Sequence, residues 1–128
     1  METIEFKSIP SERMEKIKEL CNVLSAEDFK IEAEEMSDLH GIRMDVYGKN
    51  PLFAFSPTRQ FYQLVPVPIA SVALHDESCG NEELLFETSI YRDLGKVLFS
   101  TGWQAIPEVV AMLYAASGRE NEEQENNA

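Results

Sequence analysis

Apolar side chains recur along this chain at two periods, and each change of period marks an element. In SERMEKIKELCNVL, Met14, Ile17, Leu20, Cys21 and Leu24 stand three or four residues apart, which makes one stripe along an α-helix. Ser11 occupies the place of an N-cap, and Glu12 and Glu15 suit the positive end of the helix dipole. The spacing predicts a helix over 11–24 whose stripe packs on a sheet.

The next segment supports two patterns. In SAEDFKIEAEEM, Ser25 and Asp28 could cap a second helix carrying Phe29, Ala33 and Met36 on one face. Read with period two, Phe29, Ile31 and Ala33 alternate with Lys30, Glu32 and Glu34, a strand with one wet face. The same alternation returns in Ile42, Met44 and Val46 against Arg43, Asp45 and Tyr47, after the turn-forming link SDLHG. A hairpin of 29–36 with 42–47 is therefore favoured, and it sets Arg43 near the glutamates across the pair.

Leu52 to Phe55 is a short strand closed by Ser56-Pro57. The longest apolar run, QLVPVPIASVAL over 63–74, contains Pro66 and Pro68. Neither can donate a backbone hydrogen bond, and both missing donors fall on the same side of a strand. That stretch suits an edge strand paired on one side, or a polyproline-like connector. Regular strand can resume from Ala70. HDESCGNEE over 75–83 reads as a loop, 84–91 as a strand, and 97–99 as a short one. A final helix runs from about Pro107 to Ser117, with Val109, Val110, Met112, Leu113 and Ala116 as its apolar face and Gly118 as its terminator.

Helix, four or five strands and helix define an α+β domain in two layers. The expected architecture is a mostly antiparallel sheet with the N-terminal and C-terminal helices packed on one face. Residues 1–118 form that single domain, and the polar tail RENEEQENNA over 119–128 is expected to be disordered. At 128 residues and 44% hydrophobic content the chain has the size and the apolar material of one core.

Charge narrows the partners. The net charge is −12, and it is segregated: residues 41–74 hold one acid, Asp45, against Arg43, Lys49 and Arg59, while acids crowd the flanks. Clustered Lys and Arg able to replace phosphate counterions are missing, so direct nucleic-acid binding is not expected, nor is an anionic membrane surface. No apolar run approaches the ~20 residues of a membrane span. METIEFKSIP has no basic-then-apolar leader layout, which favours the cytoplasm. Cys21 and Cys79 form no CxxC pair and are expected to be reduced thiols.

Signatures of catalysis are sparse. The sequence has no glycine-rich phosphate loop, GxSxG, HExxH or EF-hand pattern. Two histidines, His40 and His75, cannot make a three-histidine metal site. No cofactor and no metal site is expected, and the balance points away from an enzyme. The strongest local chemistry is His75-Asp76-Glu77-Ser78-Cys79, in which a base stands four residues from a thiol; outside a helix that spacing does not bring them together. Trp103 is expected to anchor the last helix to the core.

What remains is recognition. Glu32, Glu34, Glu35 and Asp38 form an acidic cluster suited to Lys and Arg on a partner. Arg59, Phe61 and Tyr62 combine aromatic and cationic character in the manner of a binding hot spot. The sequence thus points to an acidic protein-binding regulator or inhibitor that occupies a basic surface on a larger protein. In its extreme form it is a nucleic-acid-mimicking anti-defence protein of a phage or plasmid. The alternatives are a small-molecule binder or minor thiol enzyme using His75 and Cys79, and a structural subunit of a homo-oligomer, most simply a homodimer.

Overall fold

A computed structural model of the chain describes residues 8–48, 52–57, 62–92 and 96–117. Helix α1 spans Ser11–Ala26 and is followed by strands β1 (Lys30–Met36) and β2 (Gly41–Tyr47). Strands β3 (Leu52–Pro57) and β4 (Tyr62–Val67) come next, then β5 (Ala70–Leu74), β6 (Phe86–Arg92), β7 (Lys96–Gln104) and helix α2 (Ile106–Ser117). Five strands form one sheet in the order β1-β2-β5-β6-β7, and every neighbouring pair is antiparallel. The α+β architecture is the one expected from the hydrophobic pattern. The tail 119–128 and Gly118 lie outside the described residues.

Helix α1 buries the stripe its spacing predicts: Met14, Ile17, Leu20, Cys21 and Leu24 are its buried residues. Its start differs from expectation. Pro10 takes the cap position and no side chain caps the helix, so Ser11 is already the first helical residue. The far end explains why the next segment is a strand. Asp28 adopts a left-handed backbone, φ 63°. The Phe29 N–H donates to Leu24 O and the Asp28 N–H to Ser25 O, at 3.0 and 3.1 Å. These two bonds and the buried pair Leu24 and Phe29 make a Schellman stop, with an aspartate where glycine is commoner. The chain leaves it extended, and the 29–36 ambiguity resolves as β1.

In β1 and β2, Ile31 pairs with Val46, Ala33 with Met44 and Glu35 with Ile42. In β2 and β5, Ile42 pairs with Leu74, Met44 with Val72 and Val46 with Ala70. All six of these last residues are fully buried, and they join Phe86, Ile90, Val109, Leu113 and the α1 stripe in one core. Helix α1 packs on β1 and β2, and α2 on β5, β6 and β7. The two helices thus cover the same sheet face side by side. Phe29 and Tyr114 join them edge to face at 5.9 Å, and the Tyr114 hydroxyl donates to Glu27.

Two features of the sheet depart from the pattern-based reading. The proline-bearing run divides. Pro66 sits in β4, opposite Phe53 of β3, in a separate two-stranded ribbon inserted between β2 and β5. Pro68 falls in the link after it, where the Ile69 N–H donates to Val46 O at 2.8 Å and returns the chain to the sheet. The apolar remainder, Ala70–Leu74, becomes the central strand. Strand β7 is also much longer than 97–99. Its register slips against β6 between Ile90 and Tyr91 and again between Phe86 and Thr88, so it carries a bulge near each end. At the second bulge Trp103 is left-handed, φ 53°, and 59% exposed. The expected core tryptophan is therefore a surface residue: the bulge turns it away from the sheet's dry face.

Gly41 shows how closely neighbouring strands meet. A Cβ there would stand 2.0 Å from Leu74 O and 2.5 Å from the His75 Cα, both backbone atoms. Gly41→Ala must therefore push β2 and β5 apart at the end of their ladder, at a cost of about 1–3 kcal/mol. Urea unfolding should show that loss; a change below about 0.5 kcal/mol would contradict the close approach.

Candidate functional site

Successive residues of a strand face opposite sides, so the face without helices follows from the pairing. One row crosses all five strands, Glu32 to Asp45, Ser71, Ser89 and Ser100. A second runs from Glu34 to Arg43, Ala73 and Glu87. Charge therefore gathers at the β1–β2 side, while the β5–β7 side carries hydroxyls and the single carboxylate Glu87; there Ser89 Oγ and Ser100 Oγ share a 2.7 Å hydrogen bond. Tyr47 and Ser71 are buried on this face at the end where the ribbon departs, as is Gly41 at the other end of β2.

The acidic end is incompletely neutralised. Arg43 Nη2 lies 4.0 Å from Glu34 Oε2 and 3.7 Å from Asp45 Oδ1. The Tyr47 hydroxyl donates to Glu32 Oε2 at 3.2 Å. Partial burial raises the Asp45 carboxyl above its ordinary value; Arg43 opposes the shift, while Glu32 and Glu34 add to it. Burial also raises Tyr47, with Glu32 and Asp45 contributing. In both groups burial is the largest cause of the rise, and the neighbouring acids add to it.

The four acids expected to act together are dispersed. Glu32 and Glu34 share the open face. Glu35 stands on the opposite parity, against Ile42, and Asp38 lies in the 3-10 turn Ser37–Leu39. Asp45, which the sequence reading left as an ordinary wet-face residue, completes the group across the hairpin. Arg59 and Phe61 lie outside the described residues, and Tyr62 is placed only by its register opposite Pro57.

In the loop after β5, His75 and Cys79 have separate partners. His75 Nδ1 accepts from the Glu77 N–H at 3.1 Å, and the His75 N–H donates to Ser78 Oγ at 3.0 Å. The Cys79 N–H donates to Glu87 Oε2 at 3.2 Å. A side-chain hydrogen bond to Glu87, and the charge of that carboxylate, push the Cys79 thiol up, which is opposite to the activation a nucleophile needs. Cys21 is a free thiol in the core, raised by burial to about 11. Among the described residues no group of three or more His, Cys, Asp or Glu is placed to hold a metal ion, and no helix is long and apolar enough to cross a membrane.

The strongest polar assembly was not legible in the sequence, because its members are distant in the chain. Arg13 Nη1 donates to Asp76 Oδ1 at 2.8 Å and to His40 O at 2.9 Å, and Arg13 Nη2 donates to Asn81 Oδ1 at 3.0 Å. His40 Nδ1 lies 2.8 Å from the other Asp76 oxygen. The Asp76 N–H donates to Leu39 O at 2.8 Å. This clamp ties the start of α1 to the β1–β2 turn and the β5–β6 loop. The His40–Asp76 pair has the form of a base and its orienting carboxylate, but among the described residues no hydroxyl or thiol is bonded to His40, so the arrangement reads as structural.

Comparison with known proteins returns no matching family model, no significantly similar curated protein and no significantly similar solved structure.

Two outcomes are expected. Hydrogen bonds from His40 and Arg13 hold the Asp76 carboxyl below its ordinary range. A depressed carboxyl stabilises the fold above its unfolded pKa, and that contribution is lost as pH falls through the depressed value. The melting-temperature gap between wild type and Asp76→Ala should persist from neutral pH to about pH 4 and close below it. Arg13→Lys should be nearly as harmful as Arg13→Ala, since an ammonium cannot bridge both loops as the guanidinium fork does. A gap that widened in acid would contradict this account. Separately, iodoacetamide should label Cys79 slowly at neutral pH, faster in Glu87→Gln and unchanged in His75→Ala; fast labelling that slowed in His75→Ala would favour thiol chemistry.

Proposed function

We propose that this protein is a binding regulator that lays the acidic β1–β2 side of its sheet on a basic surface of a partner protein. The observation that carries the reading is Asp45, a partly buried carboxylate held beside Glu32 and Glu34 with its pKa raised. Burial is the main cause of that rise; Glu32 and Glu34 add negative potential and Arg43 opposes it. Lysine or arginine from a partner would convert the same potential into attraction and faster, oriented encounter. Sites that break local rules of stability are where function is to be sought.

The spacing argues for a protein's basic patch over mimicry of nucleic acid. Neighbouring strands lie about 4.8 Å apart and same-face residues about 7 Å apart along a strand. A duplex presents one charge per about 1.7 Å of its axis. Three carboxylates on two strands match a cluster of basic side chains and fall short of a duplex, so regulation or inhibition through a protein surface is the stronger form.

A raised carboxyl favours the fold below its unfolded pKa, and that contribution is lost as pH rises through the raised value. Asp45→Asn should therefore raise the melting temperature at neutral pH, with the gain vanishing below about pH 4. The Glu32→Gln, Glu34→Gln, Asp45→Asn variant should be more stable yet lose proteins that the wild type captures from lysate at low salt and releases at high salt. An unchanged set of captured proteins with unchanged salt dependence would remove the proposal.

A further inference from the structure

The two edges of the sheet differ in kind. Strand β1 is an edge blunted by charge, KIEAEEM, in the way edges are protected against unwanted pairing. Strand β7, KVLFSTGWQ, has no charge after Lys96. It holds all the large hydrophobic residues found exposed among those described: Val97 at 57%, Leu98 at 54%, Phe99 at 48% and Trp103. This edge strand, whose Trp103 N–H is already bonded to Cys79 O at 3.0 Å, carries apolar side chains on both faces. Phe99 is paired with Ile90 of the helix-covered face, and Val97 with Tyr91, which shares the open face with Ser89.

We infer that β7 is a docking edge and that its occupant is a second copy of this chain, paired antiparallel about a two-fold axis near Ser100. The inference concerns a different surface from the acidic site and does not depend on it. Charge selects the occupant. A chain of net charge −12 repels its own copies wherever acids meet, as they would if β1 paired with β1. Five strands spaced about 4.8 Å apart put β1 about 19 Å from β7, well beyond a Debye length of about 8 Å. Pairing β7 with β7 holds the two acidic edges at the far ends of a ten-stranded sheet. Pairing β7 with β1 would set apolar residues against glutamates and leave an open-ended chain of subunits.

Register agrees with a two-fold. An axis through Ser100 puts Phe99 opposite Thr101 and Val97 opposite Trp103, so each half of the strand meets the other half. The bulges near Leu98 and Gly102 restrict regular ladder to the middle of β7. Backbone pairing is therefore short, apolar contact carries most of the association, and a dimer of micromolar strength is expected.

Trp103 is the sole tryptophan and lies within the proposed interface, so it reports directly. Sedimentation of the full chain should show a dimer at about 100 µM that dissociates on dilution, with Trp103 emission shifting to the red over the same range. The Leu98→Lys, Phe99→Lys double variant should be monomeric throughout, with an unchanged far-UV spectrum. A wild-type monomer at about 100 µM, a dimer that survives in a folded double variant, or tryptophan emission that ignores dilution would each overturn the inference. Should the double variant fail to fold, the wild-type emission decides alone.

Discussion

Two helices cannot dry both faces of a five-stranded sheet. A helix with its side chains is about 10 Å across, so α1 and α2 side by side cover about 20 Å, close to the width of the sheet at about 4.8 Å per strand. They are spent on one face. The rows Ile42 with Leu74, Met44 with Val72 and Val46 with Ala70 lie under them, and burial of each large aliphatic contributes about 1.5–3 kcal/mol. Every other feature follows from this one-sided core. The opposite face must be polar, the outer strands must manage free edges, and β7, at the margin of the helical cover, keeps Phe99 half exposed.

Where local pattern and this constraint agree, the sequence was readable. The α1 stripe, the alternation in β1 and β2, the placing of Arg43 beside Glu34 and the apolar face of α2 each reflect a period fixed by burial on one side. Reading failed where geometry is set by distant contacts. Nothing near Trp103 in sequence announces that Gly102 must lie against Cys79, where a Cβ would come within 2.3 Å of the cysteine's own Cβ. That close packing, with the bond from the Trp103 N–H to Cys79 O, shapes the second bulge and turns the tryptophan outward. Pro66 and Pro68 were read correctly as hostile to a central strand. The sequence did not disclose that Pro66 belongs to an inserted ribbon and Pro68 to the link after it, leaving Ala70–Leu74 free to be the central strand.

The candidate site was half legible for the same reason. Glu32 and Glu34 could be placed on one face by period two, but Asp45 joins them only through the hairpin register, and Glu35 leaves them by parity. Arg13, His40, Asp76 and Asn81 meet only because the antiparallel order brings the β1–β2 turn and the β5–β6 loop to the start of α1. The two aspartates define contrasting regimes. Asp76 is paired with donors and lowered, so its charge serves the fold. Asp45 is crowded by burial and other acids and raised, so its charge works against the fold. A surface that retains the second kind is a reasonable place to look for a partner.

Native-state hydrogen exchange tests the one-sided core most directly. If burial beneath the two helices is what holds the molecule together, amides of β2, β5 and β6 should exchange only by global unfolding. Those of β1 and β7 that point away from the sheet should exchange far faster, β7 in dilute solution included. Amides of β5 that exchanged as readily as those at the edges would contradict the account, because the central strand would then not be the part on which the others depend.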